Sequence, residues 1–203
     1  MIAVIDYGMG NIHSVNKALA LYGAKTIVTN KAQDIESAQK LVLPGVGAFD
    51  DARGELEKRG LIDILLEQVR NNKPFLGICL GMQLLFDQSE EAETSKGLGL
   101  IKGSVRRFET RAGRKVPHMG WNQLSHLKKD CPLLKDVQEN AYVYFCHSYY
   151  PVPSENSLVA ATTGYGTDFA SLVWKENLFG VQFHPEKSQS VGLKIMENFV
   201  KLC

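Results

Sequence analysis

Two short stretches far apart in the chain hold the residue types from which a catalyst could be built. One is Gly77-Ile78-Cys79-Leu80-Gly81, a G-x-C-x-G placed where the apolar run from Phe75 gives way to Met82-Gln83-Leu84-Leu85-Phe86. A strand that turns abruptly into a helix strains its corner residue, and flanking glycines relieve the crowding there. That pattern predicts a nucleophile elbow at Cys79. Its sulfur would lie at a helix N-terminus, where the positive dipole end favours thiolate, and the Leu80 N–H would be one oxyanion donor. The other stretch is Phe183-His184-Pro185-Glu186. Pro185 keeps His184 out of the α region, and in extended chain residues two apart share a face. Glu186 would then accept one imidazole N–H and fix the tautomer, leaving the other ring nitrogen for Cys79. Cys79, His184 and Glu186 read together as a thiol, base and orienting carboxylate.

Other groups fit worse. The four cysteines, Cys79, Cys131, Cys146 and Cys203, contain no CxxC, and the five histidines show no HExxH or His-x-His spacing, so neither a disulfide framework nor a metal site is expected. Cys146 and His147 are neighbours on a strand-like segment and face opposite ways. His118 and His126 have no evident partner and read as structural. Gly8-Met9-Gly10-Asn11 follows the first strand, but position 13 is His rather than the last glycine of a dinucleotide fingerprint, and no GxxxxGK[ST] exists. No cofactor is called for. Pro44-Gly45-Val46-Gly47 closes an apolar run, at the sheet edge where Cys79 would emerge. The Val46 N–H of that loop is the second candidate oxyanion donor.

These groups need a frame to bring them together. The chain has 203 residues, 44% hydrophobic and 22% charged, enough for one sizeable core, and residues 1–203 read as a single domain. A net charge of +1 gives no broad reason to expect a nucleic-acid or anionic-membrane partner. The start, Met1 to Asp6, lacks a basic region, and no apolar run approaches membrane-spanning length, so a soluble cytoplasmic protein is expected. Strand-like runs at Ile2–Ile5, Thr26–Thr29, Leu41–Leu43 and Phe75–Cys79 alternate with helical stripes at Ile12–Tyr22 and Leu61–Val69. This rhythm predicts parallel strands with crossover helices. Beyond Leu100 come short β-like segments, Ser104–Phe108, Tyr142–Tyr149, Leu158–Thr163, Ala170–Trp174 and Leu178–Phe183, then a closing helix over Val191–Leu202. The expected fold is α/β: a three-layer, open, mixed but mostly parallel sheet with helices on both faces. Gln88–Lys96 reads as a surface loop, because Glu90, Glu91 and Glu93 resist burial.

With the elbow, the Pro-Gly-Val-Gly loop and the late His-Pro-Glu in this order, the chain resembles the triad (class I) glutamine amidotransferases. More narrowly, it looks like the glutaminase subunits of imidazole glycerol phosphate synthases, from histidine biosynthesis. The resemblance runs end to end, through Tyr7 to Asn11, Gly77 to Gln83, Pro117-His118-Met119-Gly120-Trp121-Asn122, and Gly180 to Ser188. It implies that Cys79 attacks the carboxamide of L-glutamine, forming a thioester that water releases as glutamate. It also implies that Gly47, Gln83, Glu91, Ser148 and Tyr149 hold the glutamine, with Glu91 facing its ammonium group. The implied partner is a separate (β/α)8-barrel synthase subunit in a heterodimer, with Asn11, Trp121, Tyr144 and Lys187 at the interface. Ammonia would pass to that subunit, which would make imidazole glycerol phosphate and an aminoimidazole carboxamide ribonucleotide. Two other readings stay open: the amidotransferase subunit of anthranilate or aminodeoxychorismate synthase, and a non-catalytic protein of related fold whose cysteine senses oxidants.

Overall fold

A computed structural model describes residues 1–110 and 114–203. Its centre is a seven-stranded sheet of β1 (Ile2–Ile5), β2 (Thr26–Thr29), β3 (Lys40–Gly45), β4 (Phe75–Cys79), β10 (Val159–Gly164), β11 (Asp168–Lys175) and β12 (Leu178–Val181). The spatial order is β10-β11-β12-β4-β3-β1-β2, parallel from β12 to β2 and antiparallel across β10, β11 and β12. The sheet is therefore mixed and mostly parallel, as the alternation of runs predicted.

Strand alternation divides the core between the two faces. Ile2, Val4, Val42, Leu76 and Ile78 pack with Val15, Ala18 and Leu19 of α1 (Ile12–Ala20) and with Ile195, Met196 and Phe199 of α6 (Gln189–Leu202). Ala3, Ile5, Leu41, Leu43 and Phe75 pack with α2 (Ala32–Ser37), α3 (Phe49–Lys58) and α4 (Leu61–Arg70). Burial on both faces explains why β1, β3 and β4 read as unbroken apolar runs rather than alternating ones. Among the described residues no helix is long and apolar enough to cross a membrane.

Two smaller sheets stand beside the C-terminal edge of the central one. β5 (Phe86–Ser89), β6 (Ile101–Arg107) and β9 (Tyr149–Pro153) form the first; β7 (His118–Gln123) and β8 (Tyr142–His147) pair as an antiparallel ribbon. The helical reading of Met82–Phe86 fails, because α5 spans only Leu80–Gln83 and Phe86 already pairs with Ile101. All of Met82 to Phe86 is buried, and an apolar run buried all round carries no period to distinguish helix from strand. The Tyr142–Tyr149 segment breaks at Ser148, since His147 pairs with β7 and Tyr149 with β6. Pro44 and Gly45 continue β3 instead of turning, and Ser89 is buried in β5, so the exposed loop begins at Glu90. Helices α2 and α3 lay outside the predicted elements. α3 is mostly charged, and only Phe49, Ala52 and Leu56 mark its buried stripe.

Candidate active site

Cys79 occupies the junction of β4 and α5 with φ 54° and ψ −110°, a positive-φ conformation that costs a residue with a Cβ of order 1–3 kcal/mol. The strand–helix corner expected from the sequence is present. Its tightness is set by glycine. A Cβ on Gly81 would lie 1.9 Å from the Leu43 carbonyl oxygen, and one on Gly77 would lie 2.7 Å from the Gly81 oxygen. Only residues without side chains let β3, β4 and α5 approach so closely. Gly45, the β3 partner of Cys79, is pressed as hard: its Cβ would meet the Tyr7 hydroxyl at 2.7 Å and the Gly81 nitrogen at 2.8 Å. Tyr7 donates to the Pro44 carbonyl at 2.8 Å, and burial together with the charge of Cys79 raises its phenol far above the ordinary range. Because α5 is a single turn, its dipole is small, but its first N–H groups, Leu80 included, have no intrahelical partner.

The local route to the His-Glu pair differs from the one expected. Pro185–Lys187 is a 3-10 turn, not extended chain, with Pro185 supplying the preset φ of its first position. His184 itself is extended, and the turn carries Glu186 back so that its Oε1 lies 3.0 Å from His184 Nδ1. Nδ1 therefore donates to the carboxylate, which leaves Nε2 as the ring nitrogen able to engage Cys79, whose thiol lies 4.0 Å from the Cys146 carbonyl. Both side chains are almost fully enclosed, at 4% and 1% exposure, so little water screens the pair. Burial alone would lower the imidazole pKa. The hydrogen bonds and charges of Cys79 and Glu186 outweigh it and push His184 up to about 10.

A cavity of about 300 Å³ opens over the sulfur, lined by Val46, Gly47, Cys79, Leu80, Gln83, Glu91, Pro117, Cys146, His147, Ser148, Tyr149, His184 and Lys187. Both candidate oxyanion residues and all five candidate glutamine residues face it. Val46 is 41% exposed at the rim, and Gly47 follows with φ +98°. Glu91 is half-buried and accepts the Phe49 N–H at 3.1 Å; burial raises its pKa, with Asp50 and Asp51 adding to the rise. Its loop is held by Asp50, which accepts the N–H groups of Glu93, Thr94 and Ser95 at 2.8, 3.3 and 3.0 Å.

One polar residue here escaped the sequence reading. Gln182 is fully buried and its Nε2 lies 3.7 Å from Cys79 Sγ. The signal for it was its position two residues before His184, which in extended chain puts both on one side. His118 and His147 are both buried, with His118 Nδ1 3.0 Å from His147 Nε2 and His147 Nδ1 2.7 Å from the Tyr149 carbonyl. Burial pushes them down to about 4 and about 3, so the pair is neutral. His118 is thus structural, as expected. Among the described residues no cluster of three or more His, Cys, Asp or Glu could hold a metal ion.

A family model, glutamine amidotransferase class-I, matches residues 3–203. The chain belongs to the class I glutamine amidotransferases. Among its relatives, the imidazole glycerol phosphate synthase subunit HisH of Geobacter metallireducens is 50% identical over 203 residues, spanning 98% of this chain and 96% of that protein. The same subunit from Gloeothece citriformis is 51% identical over 201 residues, 98% of this chain and 95% of the relative. Among solved structures, a crystal structure described as glutamine amidotransferase superposes with TM-score 0.75 at 19% identity, covering 98% and 97% of the two chains. PurLQS from Thermotoga maritima gives 0.74 at 19%, covering 98% and 96%. These last two establish the shared fold.

On the outer side of this amidotransferase are the candidate interface residues. Trp121 and Tyr144 are paired across the ribbon with ring centroids 6.0 Å apart, and Lys187 Nζ lies 5.9 Å over the Tyr144 ring. Trp121 is 46% exposed, so it is not a core aromatic, and Met119 and Tyr142 on the same ribbon are 62% and 55% exposed. Asn11 is the N-cap residue of α1, next to Gly10, which packs on Pro44, and α1 contacts the 3-10 turn that carries Lys187.

Proposed function

We propose that Cys79, His184 and Glu186 hydrolyse L-glutamine in the cavity above the sulfur, and that this chain is the glutaminase subunit of imidazole glycerol phosphate synthase in histidine biosynthesis. The observation that carries the proposal is the buried Cys79–His184–Glu186 array at the foot of that cavity. With the thiol proton already resting on His184, the sulfur attacks the carboxamide carbon while the C=O electrons move to oxygen. The oxyanion is met by the Leu80 and Val46 N–H groups. As the tetrahedral adduct collapses, the C–N bond breaks and His184 returns its proton to nitrogen, so ammonia leaves and a γ-glutamyl thioester remains. Water, deprotonated by His184, then attacks the thioester, and glutamate departs as the thiol re-forms. Glu186 holds the imidazole in the required tautomer and balances its charge.

Gly47, Gln83, Ser148 and Tyr149 hold the glutamine, and Glu91 pairs with its ammonium group. A half-buried carboxylate whose one partner among the described residues is a neutral N–H gains most from such a cation. The chain acts as one amidotransferase domain. Its partner is a (β/α)8-barrel synthase subunit, docked on the ribbon at Trp121 and Tyr144, with Lys187 at the cavity mouth and Asn11 at the rim. Ammonia is readily protonated by bulk water, so a sealed joint between the two subunits is a physical requirement. The free state of Cys79, Cys131, Cys146 and Cys203 suits a cytoplasmic setting. Full-length relatives at half identity favour this reading over a chorismate-using partner.

The test uses Cys79→Ala with the barrel partner. Glutamine-dependent synthesis of imidazole glycerol phosphate is lost, while synthesis from added ammonium salts persists. Loss of both, or retention of both, overturns the assignment.

A further inference from the structure

The buried amides beside the nucleophile form a directed chain. Gln83 Nε2 lies 2.9 Å from the Tyr149 carbonyl and 3.0 Å from Gln182 Oε1. A carbonyl can only accept, so the nitrogen end of Gln83 is fixed, and both its N–H groups are engaged. Gln182 must then turn its oxygen to Gln83, which leaves its nitrogen facing Cys79 Sγ at 3.7 Å. The Tyr149 carbonyl is itself held, because it also receives Nδ1–H of His147 at 2.7 Å. Each amide orientation follows from the one before it. Gln182 is fully buried and Gln83 nearly so, at 4% exposure, so water does not compete for these bonds.

We propose that Gln182 is a catalytic residue whose side-chain amide donates to the Cys79 sulfur, aiming it and solvating its negative charge, and that Gln83 positions this amide. The inference rests on Cys79 being the nucleophile and adds a donor to the triad. A neutral thiol is a poor acceptor and a thiolate a good one, so this bond is strongest while the proton rests on His184. It also reappears each time the thioester releases its sulfur. A purely structural Gln182 would need only the oxygen that accepts from Gln83. The donor facing sulfur is therefore what the experiment must remove.

Gln182→Glu does so, since it keeps the shape and an acceptor for Gln83 while placing an oxygen against the sulfur; Gln182→Met removes both functions. Alkylation of Cys79 by iodoacetamide is followed against pH in the isolated chain, with the rate for Cys79→Ala subtracted for the other thiols. Glutaminase kcat/KM is measured with the barrel partner. We expect alkylation of Gln182→Glu at pH 8 to slow about 10-fold, its midpoint to move to higher pH, and kcat/KM to fall about 100-fold. KM should change little. Wild-type alkylation profiles and kcat/KM in both variants overturn the proposal. If neither variant folds, the unsubstituted chain still decides: the Gln182 side-chain amide proton resonances shift in step with the pH dependence of Cys79 alkylation, and resonances that ignore it overturn the proposal. Absence of Cys79-dependent glutaminase activity in the unsubstituted protein is a different failure, that of the functional reading itself.

Discussion

The backbone at Cys79 makes a prediction with an unusual sign. At most buried positions, Gly in place of Ala loosens the unfolded chain and destabilises by about 0.5–1 kcal/mol. Here φ is 54° and ψ −110°, where the Cβ costs of order 1–3 kcal/mol and its removal relieves that strain. Comparing Cys79→Gly with Cys79→Ala cancels the loss of sulfur, its burial and its hydrogen bonds, because both variants lack them. What remains is strain relief less the glycine entropy, leaving Cys79→Gly the more stable by roughly 0.5–2 kcal/mol. For a chain of 203 residues this is a gain in Tm of about 1–8 °C over Cys79→Ala. Urea midpoints and calorimetry on the two proteins measure it, with inactivity towards glutamine expected of both. A Cys79→Gly protein no more stable than Cys79→Ala would show that the corner stores no strain, and would refute the reasoning.

Glu186→Gln preserves shape but removes the charge that holds the imidazolium, so glutaminase kcat should fall about 10²–10⁴-fold with KM nearly unchanged, as steady-state kinetics with the barrel partner would show. Asp50→Ala releases three backbone N–H groups of the loop that carries Glu91; KM for glutamine should rise several-fold while kcat stays close to wild type. His118 and His147 bind protons less readily folded than unfolded, so between pH 6.5 and about 4 the unfolded state holds more protons and stability falls with falling pH. That stability is complete above the unfolded value near 6.5, and each histidine contributes a slope of up to about 1.4 kcal/mol per pH unit within the window. Urea titrations at pH 6 and pH 5, where His184 is largely protonated in both states, measure it; equal stability at both would contradict a neutral buried pair.

The sequence was most informative where one physical requirement dominated. Glycines at 77 and 81 flagged the elbow because only backbone atoms fit against Leu43 and each other, and the apolar runs of β1, β3 and β4 reflected burial on both sides. Legibility ended where tertiary pairing overrode local pattern. Nothing local distinguishes Met82–Phe86 as a helical turn followed by a strand, since the strand is made by pairing with β6 at Phe86, Gln88 and Ser89. The split at Ser148 likewise depends on which sheet each neighbour joins. In the site, single residues with obvious chemistry were found, whereas Gln182 acts through bonds to Gln83 and Cys79, and His118 through a bond to His147, partners brought together by the fold rather than by local pattern. Geometry also reached an expected result by another path: His184 and Glu186 meet across a 3-10 turn rather than along a strand.

The zero-clearance packing of Gly45, Gly77 and Gly81 bears on how the molecule fails as well as how it works. No slack separates the nucleophile's corner from the two central strands, so that corner cannot fray by itself; it opens only when β3 and β4 part. The opposite wall, built from a break between sheets at Ser148 and an exposed loop pinned by Asp50, can open without β3 and β4 parting. On warming, amide hydrogen exchange should therefore report two thresholds, an early one for the wall that receives glutamine and a late one for the sulfur's seat. A sample warmed between them would lose substrate affinity first and recover it on cooling, its cutting edge never having been unmade.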